Sequence, residues 1–241
     1  MEASSTLDAR SRPISATTAA PVLHPAPSDP AGRARRAADH VRDDILAGVH
    51  PVGVRLSEPR ISGDLGVSRN TLREAFRMLA EERLVVHELN RGVFVRVPTA
   101  QDVSELYDVR RLVECAAVAA HPGGTTGLEQ VAATLDQADA AARAEDWVVV
   151  GTADIDFHRE LTALGSTRIV GLMQSVWNEM RLAFHVVARP HAFHGSYLAR
   201  NHSILAALAD AGGPTAARLL RDYLDEAESQ VLAAYRARGF D

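Results

Sequence analysis

Two side chains that can bind polar ligands, Asp154 and His158, lie four residues apart in the sequence. In a helix this spacing is about one turn, so the carboxylate and the imidazole would project from the same face. Together they could bind one ion or one small polar molecule. A pair of this kind, taken alone, more often forms a hydrogen bond at a surface or in a core. The pair is therefore only a candidate binding site.

A second group of polar side chains lies in residues 66–79, which predict a helix with one apolar and one polar face. The apolar side chains recur at helical spacing: Leu72, Ala75, Phe76 and Leu79. The other face carries Ser68, Arg69, Asn70, Thr71 and Arg73. Ser68 is typical of a helix N-cap, which would direct the amide-rich end of the helix towards a phosphate. This face could therefore contact DNA, although an ordinary surface helix has the same pattern.

Short flanking elements would position this helix. Gly66 joins it to a preceding short helix, which is the layout of a helix-turn-helix. The flanking patterns predict helices over residues 33–47 and 61–65, and strands over residues 84–87 and 92–96. The two strands would form a hairpin wing. At its tip, Arg91 is followed by Gly92, which allows close backbone approach, so we expect a contact with a phosphate or the minor groove.

The sequence becomes acidic and almost entirely helical from residue 102 onwards. Glycine and proline residues interrupt the pattern where turns between helices are expected. The predicted helices cover residues 101–120, 126–145, 148–165, 167–188, 194–211 and 214–238. Such a series predicts an antiparallel α-helical bundle. The fold class is therefore mainly α, with an N-terminal winged helix-turn-helix, a small β-hairpin wing and a C-terminal bundle.

Composition and charge support two modest domains. The chain has 241 residues, 46% of them hydrophobic, and a formal net charge of -5. Arginine exceeds acidic residues in 33–98, whereas acidic residues dominate 99–241, so the first segment is the candidate DNA-binding domain. Residues 1–32 are rich in Ala, Ser, Thr and Pro and predict a disordered extension. A single cysteine, Cys115, and the lack of a long apolar segment predict a soluble cytoplasmic protein without a membrane partner.

Both domains resemble those of one known family. The first is similar to the winged helix-turn-helix of the GntR family of bacterial transcription regulators, through Gly53, Leu56, Glu58, Gly66-Val67-Ser68-Arg69, Leu72-Arg73-Glu74-Ala75 and Gly92-Val93-Phe94-Val95. The second resembles the ligand-sensing FCD domain of the FadR subfamily, through residues 106–114 and Asp154-Ile155-Asp156-Phe157-His158-Arg159-Glu160-Leu161. The resemblance implies that residues 99–241 form a helical ligand-sensing and dimerisation domain.

The FCD resemblance implies that Asp154 and His158 are two of four ligands to a divalent metal ion of the zinc or nickel class. Aligned on the family pattern, the other two ligand positions hold Asn201 and Tyr223. Both are poor ligands for such ions, and the adjacent His202 could substitute only if its helix were rotated. Two alternatives follow. Asp154, His158 and either Asn201 or His202 form a weakened metal site, or the pocket is metal-free and hydrogen-bonds an effector directly.

Other residues could bind an effector in the same region. The resemblance implies an arginine and a glutamate at the positions of Arg110 and Glu114. If Arg110 lies near Asp154, it would either neutralise that carboxylate or bind the carboxylate of an organic acid. The alternative is a structural pair with Glu114. Further candidates on the fourth bundle helix and in the predicted loop after it are, in order, Arg181 and His185, then His191 and His194.

These features predict a repressor that binds a near-palindromic double-stranded DNA operator as a homodimer formed through the bundle. Arg69 and Arg73 would contact guanine edges or phosphates, Ser68 and Thr71 phosphates, and Asn70 an adenine or a phosphate. A small-molecule effector in the bundle, an organic acid or other carboxylate, would control operator affinity. The alternatives are a metal-ion sensor and a metal-dependent enzyme. The sequence lacks a complete nucleophile triad, a phosphate loop and a His-Glu-x-x-His helix, which argues against an enzyme.

Overall fold

The N-terminal domain combines helices with a small sheet in a computed structural model that describes residues 29–187 and 190–240. Its elements are α1 (Pro30–Leu46), β1 (Arg55–Leu56), α2 (Glu58–Asp64), α3 (Arg69–Glu81), β2 (Val85–Glu88) and β3 (Gly92–Val95). The predicted helix-turn-helix and wing are confirmed.

The start of α1 corrects the predicted boundary of the N-terminal extension. Residues 1–28 lie outside the described residues, so the prediction of disorder concerns a segment about which the structure says nothing. Residues 30–32, however, belong to α1. Asp29 accepts a hydrogen bond from the amide of Gly32 at 2.9 Å, and Pro30 begins the helix. An aspartate N-cap followed by proline in the first turn is a favourable helix start.

The sheet has three antiparallel strands in the order β1-β3-β2, one more than predicted. Val85 pairs with Val95 in the wing, and Arg55 pairs with Phe94 on the other edge of β3. The sequence does not predict β1, because a strand of two residues is too short to show alternating hydrophobicity. This strand fixes Arg55 beside the wing.

The apolar face of α3 is the centre of the first domain's core. Leu72, Ala75, Phe76 and Leu79 are fully buried, as the spacing predicts, and α3 packs mainly against α1. Arg42 of α1 also donates two hydrogen bonds, each 2.6 Å long, to the carboxylate of Glu82, which ends α3. An arginine–carboxylate pair with two hydrogen bonds fixes the distance and the relative orientation of the two side chains, so this pair stabilises the packing of α1 against the end of α3.

The second domain is the predicted helical bundle. Its elements are α4 (Ala100–Ala119), α5 (Glu129–Arg143), α6 (Trp147–Ala163), α7 (Thr167–Phe184), α8 (Pro190–Asp210) and α9 (Gly213–Arg238). The main packing partners are α4 with α9 and α5 with α6. The start of α8 is four residues earlier than predicted, because proline is tolerated in the first turn of a helix. His191 is therefore a helical residue, and His194 lies in the second turn of α8 instead of at the first residue of the predicted helix.

Charged side chains join the two domains. Arg96, directly after β3, lies 2.7 Å from Asp102 of α4 and also pairs with Glu179 of α7. Asp102 forms a reciprocal capping box with Thr99 at the start of α4. Burial raises the pKa of Glu179, although the positive charges of Arg96 and Arg83 oppose that shift. No helix in the described ranges is long and apolar enough to cross a membrane.

Candidate nucleic-acid interface and bundle pocket

The N-terminal end of α3 presents the predicted polar face to solvent. The Ser68 side chain accepts a hydrogen bond from the amide of Thr71 at 3.1 Å, and their hydroxyl oxygens lie 2.8 Å apart. Arg69, Asn70 and Arg73 are exposed. The structure therefore brings together all five candidates that the sequence analysis chose on this helix.

The start of α3 and the wing line the same groove. Arg69 and Arg73 contribute one wall, and Gly92 and Arg55 contribute the other, around about 480 Å³ of space. Gly92 has a φ of 110°, and a Cβ there would lie 3.0 Å from Nε of Arg55. The backbone conformation therefore favours glycine, and the lack of a side chain lets the guanidinium of Arg55 lie close to the wing backbone. Arg55 is a candidate contact that the sequence analysis missed, since its position depends on the unrecognised strand β1.

Two further arginines of this domain, Arg91 and Arg77, differ in the number of ion pairs that they form. Arg91 is exposed at the wing tip, where it pairs with Glu88 and lies 5.3 Å from the centroid of the Phe94 ring. Arg77 pairs with both Glu74 and Glu81 on its own helix. Ion pairs at such exposed positions are weak, so a phosphate can compete for Arg91. Arg77 faces two carboxylates, which makes it the weaker candidate.

The bundle pocket is centred on the buried carboxylate of Asp154. Oδ1 of Asp154 accepts hydrogen bonds from Nδ2 of Asn201 at 2.7 Å and from the hydroxyl of Tyr223 at 2.9 Å. Burial and the negative charge of Asp154 raise the pKa of Tyr223, so its hydroxyl stays protonated and donates. Both donors stand at positions where the resemblance implies metal-binding histidines. The structure thus brings three elements, α6, α8 and α9, to one carboxylate.

A second buried carboxylate orients His158. Glu114 accepts a hydrogen bond from Nε of Arg110 at 2.8 Å, and its other oxygen lies 2.8 Å from Nδ1 of His158. Burial alone would raise the pKa of Glu114, but the charges and hydrogen bonds of Arg110 and His158 lower it to about 2. The ionised carboxylate can only accept, so Nδ1 of His158 donates to it, and Nε2 of His158 is buried without a partner among the described residues. Arg110 therefore forms the structural pair with Glu114, the alternative that the sequence analysis left open.

Several buried polar atoms in the bundle have no hydrogen-bond partner among the described residues. Those near Asp154 are the hydroxyls of Tyr107 and Tyr197, Nε2 of His158, Nδ1 of His194 and Oδ1 of Asn201. Buried polar atoms in proteins are nearly always hydrogen-bonded, to protein, water or ligand. A cluster of such atoms around one carboxylate is the chemical environment of a polar ligand site.

Arg181 and His194 complete the wall of the pocket near Asp154. A Cβ placed on Gly151 would lie 2.7 Å from Nη1 of Arg181 and 2.8 Å from Nε2 of His194. Burial, more than the charge of Arg181, lowers the pKa of His194, which favours the neutral ring. The sequence analysis ranked His185 above His194, but His185 lies beside Gly48 of the first domain, at 3.8 Å from a Cβ there. His194 reaches this wall because α8 begins at Pro190, which places His194 in the second turn of that helix.

The donor atoms do not match a four-coordinate zinc or nickel site. His202 is 46% exposed and lies 3.2 Å from Asp139, so it does not substitute for Asn201. Among residues 29–187 and 190–240, no three His, Cys, Asp or Glu side chains are grouped closely enough to hold a metal ion. Asp154 and His158 remain as one anionic and one imidazole ligand, beside an amide and a protonated phenol, which suit such ions poorly.

A capped helix with an exposed polar end, a wing beside it and a helical bundle with an internal polar pocket define a winged-helix DNA-binding regulator. Family models agree with this class. The model described as bacterial regulatory proteins, gntR family, matches residues 33–95, and the FCD domain model matches residues 105–226. The chain belongs to the GntR family of transcriptional regulators, with an FCD domain as its second domain. The predicted family is confirmed, and so is the prediction that the chain is not an enzyme.

Relatives of known sequence or structure support the same assignment. A solved structure described as a GntR transcriptional regulator from Rhodococcus sp. RHA1 is 54% identical, covers 85% of this chain and 99% of its own, and has a TM-score of 0.81. The transcriptional repressor RspR of Escherichia coli K12 is 27% identical over 199 residues, which are 79% of this chain and 85% of RspR. The gluconate operon repressor of Bacillus subtilis is 37% identical over 79 residues, 33% of this chain. This chain aligns with only 32% of that repressor's length.

Proposed function

We propose that this protein is a transcriptional repressor that binds a near-palindromic operator as a homodimer and releases or retains it in response to a small carboxylate bound in the bundle. The observation that carries the proposal is the single groove lined by Arg69 and Arg73 of α3 and by Arg55 and Gly92 at the wing. Two relatives are named as repressors, which supports repression of transcription over activation. Because bacterial operators lie in the cytoplasm, the proposal implies a cytoplasmic protein.

The exposed end of α3 supplies the contacts to DNA in this proposal. Arg69 and Arg73 contact guanine edges or phosphates, and Asn70 contacts an adenine or a phosphate. Ser68 and Thr71 bind a phosphate at the helix N-terminus, where the backbone amides and the helix dipole attract an anion. Arg91 and Gly92 follow the backbone or the minor groove beside them.

An apolar surface on the bundle supports the homodimer. Leu112 of α4 and Leu172 of α7 are 75% and 76% exposed, which is unusual for large apolar side chains that lie side by side. They belong to an almost wholly apolar groove of about 550 Å³, whose lining residues are Val109, Leu112, Val113, Ala116, Ala117, Ala120, Gly165, Ile169, Leu172 and Met173. Two copies of this surface, related by a two-fold axis, would cover each other and present two DNA-binding domains to two half-sites.

The pocket around Asp154 supports an effector that carries both a carboxylate and hydroxyl groups. Nε2 of His158 and Oδ1 of Asn201 have no partner within the described residues, and the amide oxygen of Asn201 suits a hydroxyl donor. The guanidinium of Arg181, at the same wall, suits a carboxylate. The space beside Asp154, His194 and Asn201 is too narrow for a water molecule, so a small effector would have to displace side chains when it binds.

A metal-sensing function is the second candidate, favoured by one observation. The Nδ1 side of His158 faces the Glu114 carboxylate, and metal-binding histidines are commonly oriented by a carboxylate in this way. The site would lack two further good ligands, because Asn201 and Tyr223 already donate to Asp154. We therefore rank the direct binding of an organic acid above metal sensing.

Operator binding is tested with the full-length protein and fragments of its own genome. Fragments that the protein enriches are titrated at fixed salt against the Arg69→Ala variant and against Arg77→Ala as the matched control. We expect Arg69→Ala to weaken specific binding by about 1 to 3 kcal/mol and Arg77→Ala to change it little, because Arg77 is held by two glutamates. Equal affinity for enriched and random fragments would contradict the proposal.

Effector binding is tested by thermal unfolding with a panel of small carboxylates, with and without hydroxyl groups, at matched ionic strength. A ligand that binds only the folded state raises the melting temperature by an amount that grows with the logarithm of its concentration above Kd. We expect a hydroxylated carboxylate to stabilise the wild type and to change operator affinity. A transition metal that alone reproduced both effects would favour the metal sensor.

A further inference from the structure

Arg181 contacts the bundle pocket and the DNA-binding domain at the same time. It lies in the last turn of α7, is only 6% exposed, and donates from Nη2 to the carbonyl of Leu46 at 3.1 Å. Leu46 is the last residue of α1. On its other side, Nη1 lies against Gly151 and His194 in the pocket wall. The two Nη atoms of one guanidinium therefore contact the pocket wall and the first domain.

The guanidinium of Arg181 has few partners for a buried charge. A guanidinium has five N–H donors, yet within the described residues this one makes a single hydrogen bond and no ion pair. Burial lowers the pKa of Arg181, and the nearby charges of Asp154 and Asp156 offset only part of that shift. A buried cation with so few partners gains more from a carboxylate ligand than from one neutral carbonyl.

The other partner of Arg181, the Leu46 carbonyl, is connected to the recognition helix. The last carbonyls of a helix have no partner within it, and a cation beside them is favoured by the helix dipole. Arg181 therefore caps the C-terminal end of α1. Because α1 packs along α3, and Arg42 joins it to Glu82 at the end of α3, a displacement of that end reaches the DNA-contacting helix.

We propose that Arg181 couples occupancy of the pocket to the position of α1, by exchanging the Leu46 carbonyl for a group bound in the pocket. This inference rests on the proposed effector site. With the pocket free, Arg181 caps α1 and fixes the first domain against the bundle. An anion that draws the guanidinium into the pocket removes the cap. Such a ligand has different affinities for the two arrangements, which is the condition for allosteric control.

The coupling can be tested without any ligand, because Gly151→Ala places a methyl group where Arg181 and His194 lie. One of those two side chains must move. Hydrogen–deuterium exchange of residues 43–49 is measured in the full-length protein for Gly151→Ala, for Arg181→Met and for the double variant. Arg159→Met is the matched control, since Arg159 lines the same cleft between the domains but pairs with Asp156 of its own helix.

We expect exchange in residues 43–49 to rise about fivefold or more in Gly151→Ala and in Arg181→Met, and to stay unchanged in Arg159→Met. The double variant should exchange no faster than the faster single variant, because both changes remove one contact. Unchanged exchange in Arg181→Met, or additive effects in the double variant, would each overturn the inference. If circular dichroism shows that Gly151→Ala does not fold, Arg181→Met against Arg159→Met decides. A failure to find an effector would contradict the proposed function and leave this ligand-free result standing.

Discussion

Asn201 donates a hydrogen bond from Nδ2 to Oδ1 of Asp154 at 2.7 Å, across the contact between α8 and α6. This bond gives the buried carboxylate a neutral donor where the FCD resemblance implies a metal-binding histidine. Tyr223 adds a second donor to the same oxygen. Hydrogen bonds from the protein therefore stabilise the buried Asp154 carboxylate. A carboxylate whose charge is balanced by a bound metal ion does not require such donors. The pocket is chemically suited to a hydrogen-bonding ligand.

The first prediction is that replacing these two donors creates a metal site. Asn201→His together with Tyr223→His would add two imidazoles to Asp154 and His158, which completes a four-ligand set for zinc. We expect the double variant to retain about one zinc ion per chain after dialysis and to melt at a higher temperature with zinc present. Inductively coupled plasma mass spectrometry measures the zinc. The control adds Asp154→Ala, which should remove most of the binding; an equivalent of zinc in the dialysed wild type would contradict our description of the pocket.

The second prediction concerns the hydroxyl of Tyr223. Tyr223→Phe removes one of the two donors to the buried Asp154 carboxylate, and we expect unfolding in urea to require about 1 to 3 kcal/mol less free energy. Tyr235→Phe is the matched control, because Tyr235 is equally buried in the bundle and its hydroxyl has no partner among the described residues. The control should cost less than about 0.5 kcal/mol. Equal losses in the two variants would mean that the bond to Asp154 is not stabilising.

The third prediction concerns the apolar surface of α4 and α7. Leu112→Glu places a charge at the centre of the proposed dimer contact, where two copies would bring like charges together without water. We expect sedimentation velocity to show a dimer for the wild type and a monomer for Leu112→Glu at the same concentration. Leu89→Glu is the control, since Leu89 is 89% exposed at the wing, far along the chain from this surface. A dimer that survives Leu112→Glu would place the interface elsewhere.

Features that depend on local sequence could be predicted, and features that depend on packing between distant segments could not. The apolar spacing of Leu72, Ala75, Phe76 and Leu79 is a local property, and it correctly identified the buried face of α3. The shared face of Asp154 and His158 followed from their spacing in the same way. The bond from Arg181 to Leu46 joins residues 135 positions apart, and no pattern in the sequence indicates it.

The two errors in the site have local physical causes. Pro190 predicts a break between two helices, but it occupies the first turn of α8, where a residue needs no backbone donor. His194 therefore stands at the first residue of the predicted helix, next to the predicted loop, and not in the second turn where the structure has it. Arg55 was overlooked because β1 has only two residues and is stabilised by its pairing with β3 and not by its own sequence. A search for arginines close to the glycine of the wing would have found it.

The last prediction uses the low pKa of Glu114. The folded state lowers this pKa from 4.5 to about 2, so the ionised form contributes stability that is fully present above pH 4.5 and is lost as pH falls through 2. Glu114→Gln leaves the buried Arg110 without its carboxylate and should cost about 3 to 5 kcal/mol at pH 7. Because glutamine does not titrate, the difference from the wild type should shrink by about 2 kcal/mol between pH 5 and pH 3. Urea unfolding at pH 7, 5 and 3 measures this difference in the free energy of unfolding. The exposed Glu105→Gln is the control. A difference that stays constant with pH would show that Glu114 is not held ionised by Arg110 and His158.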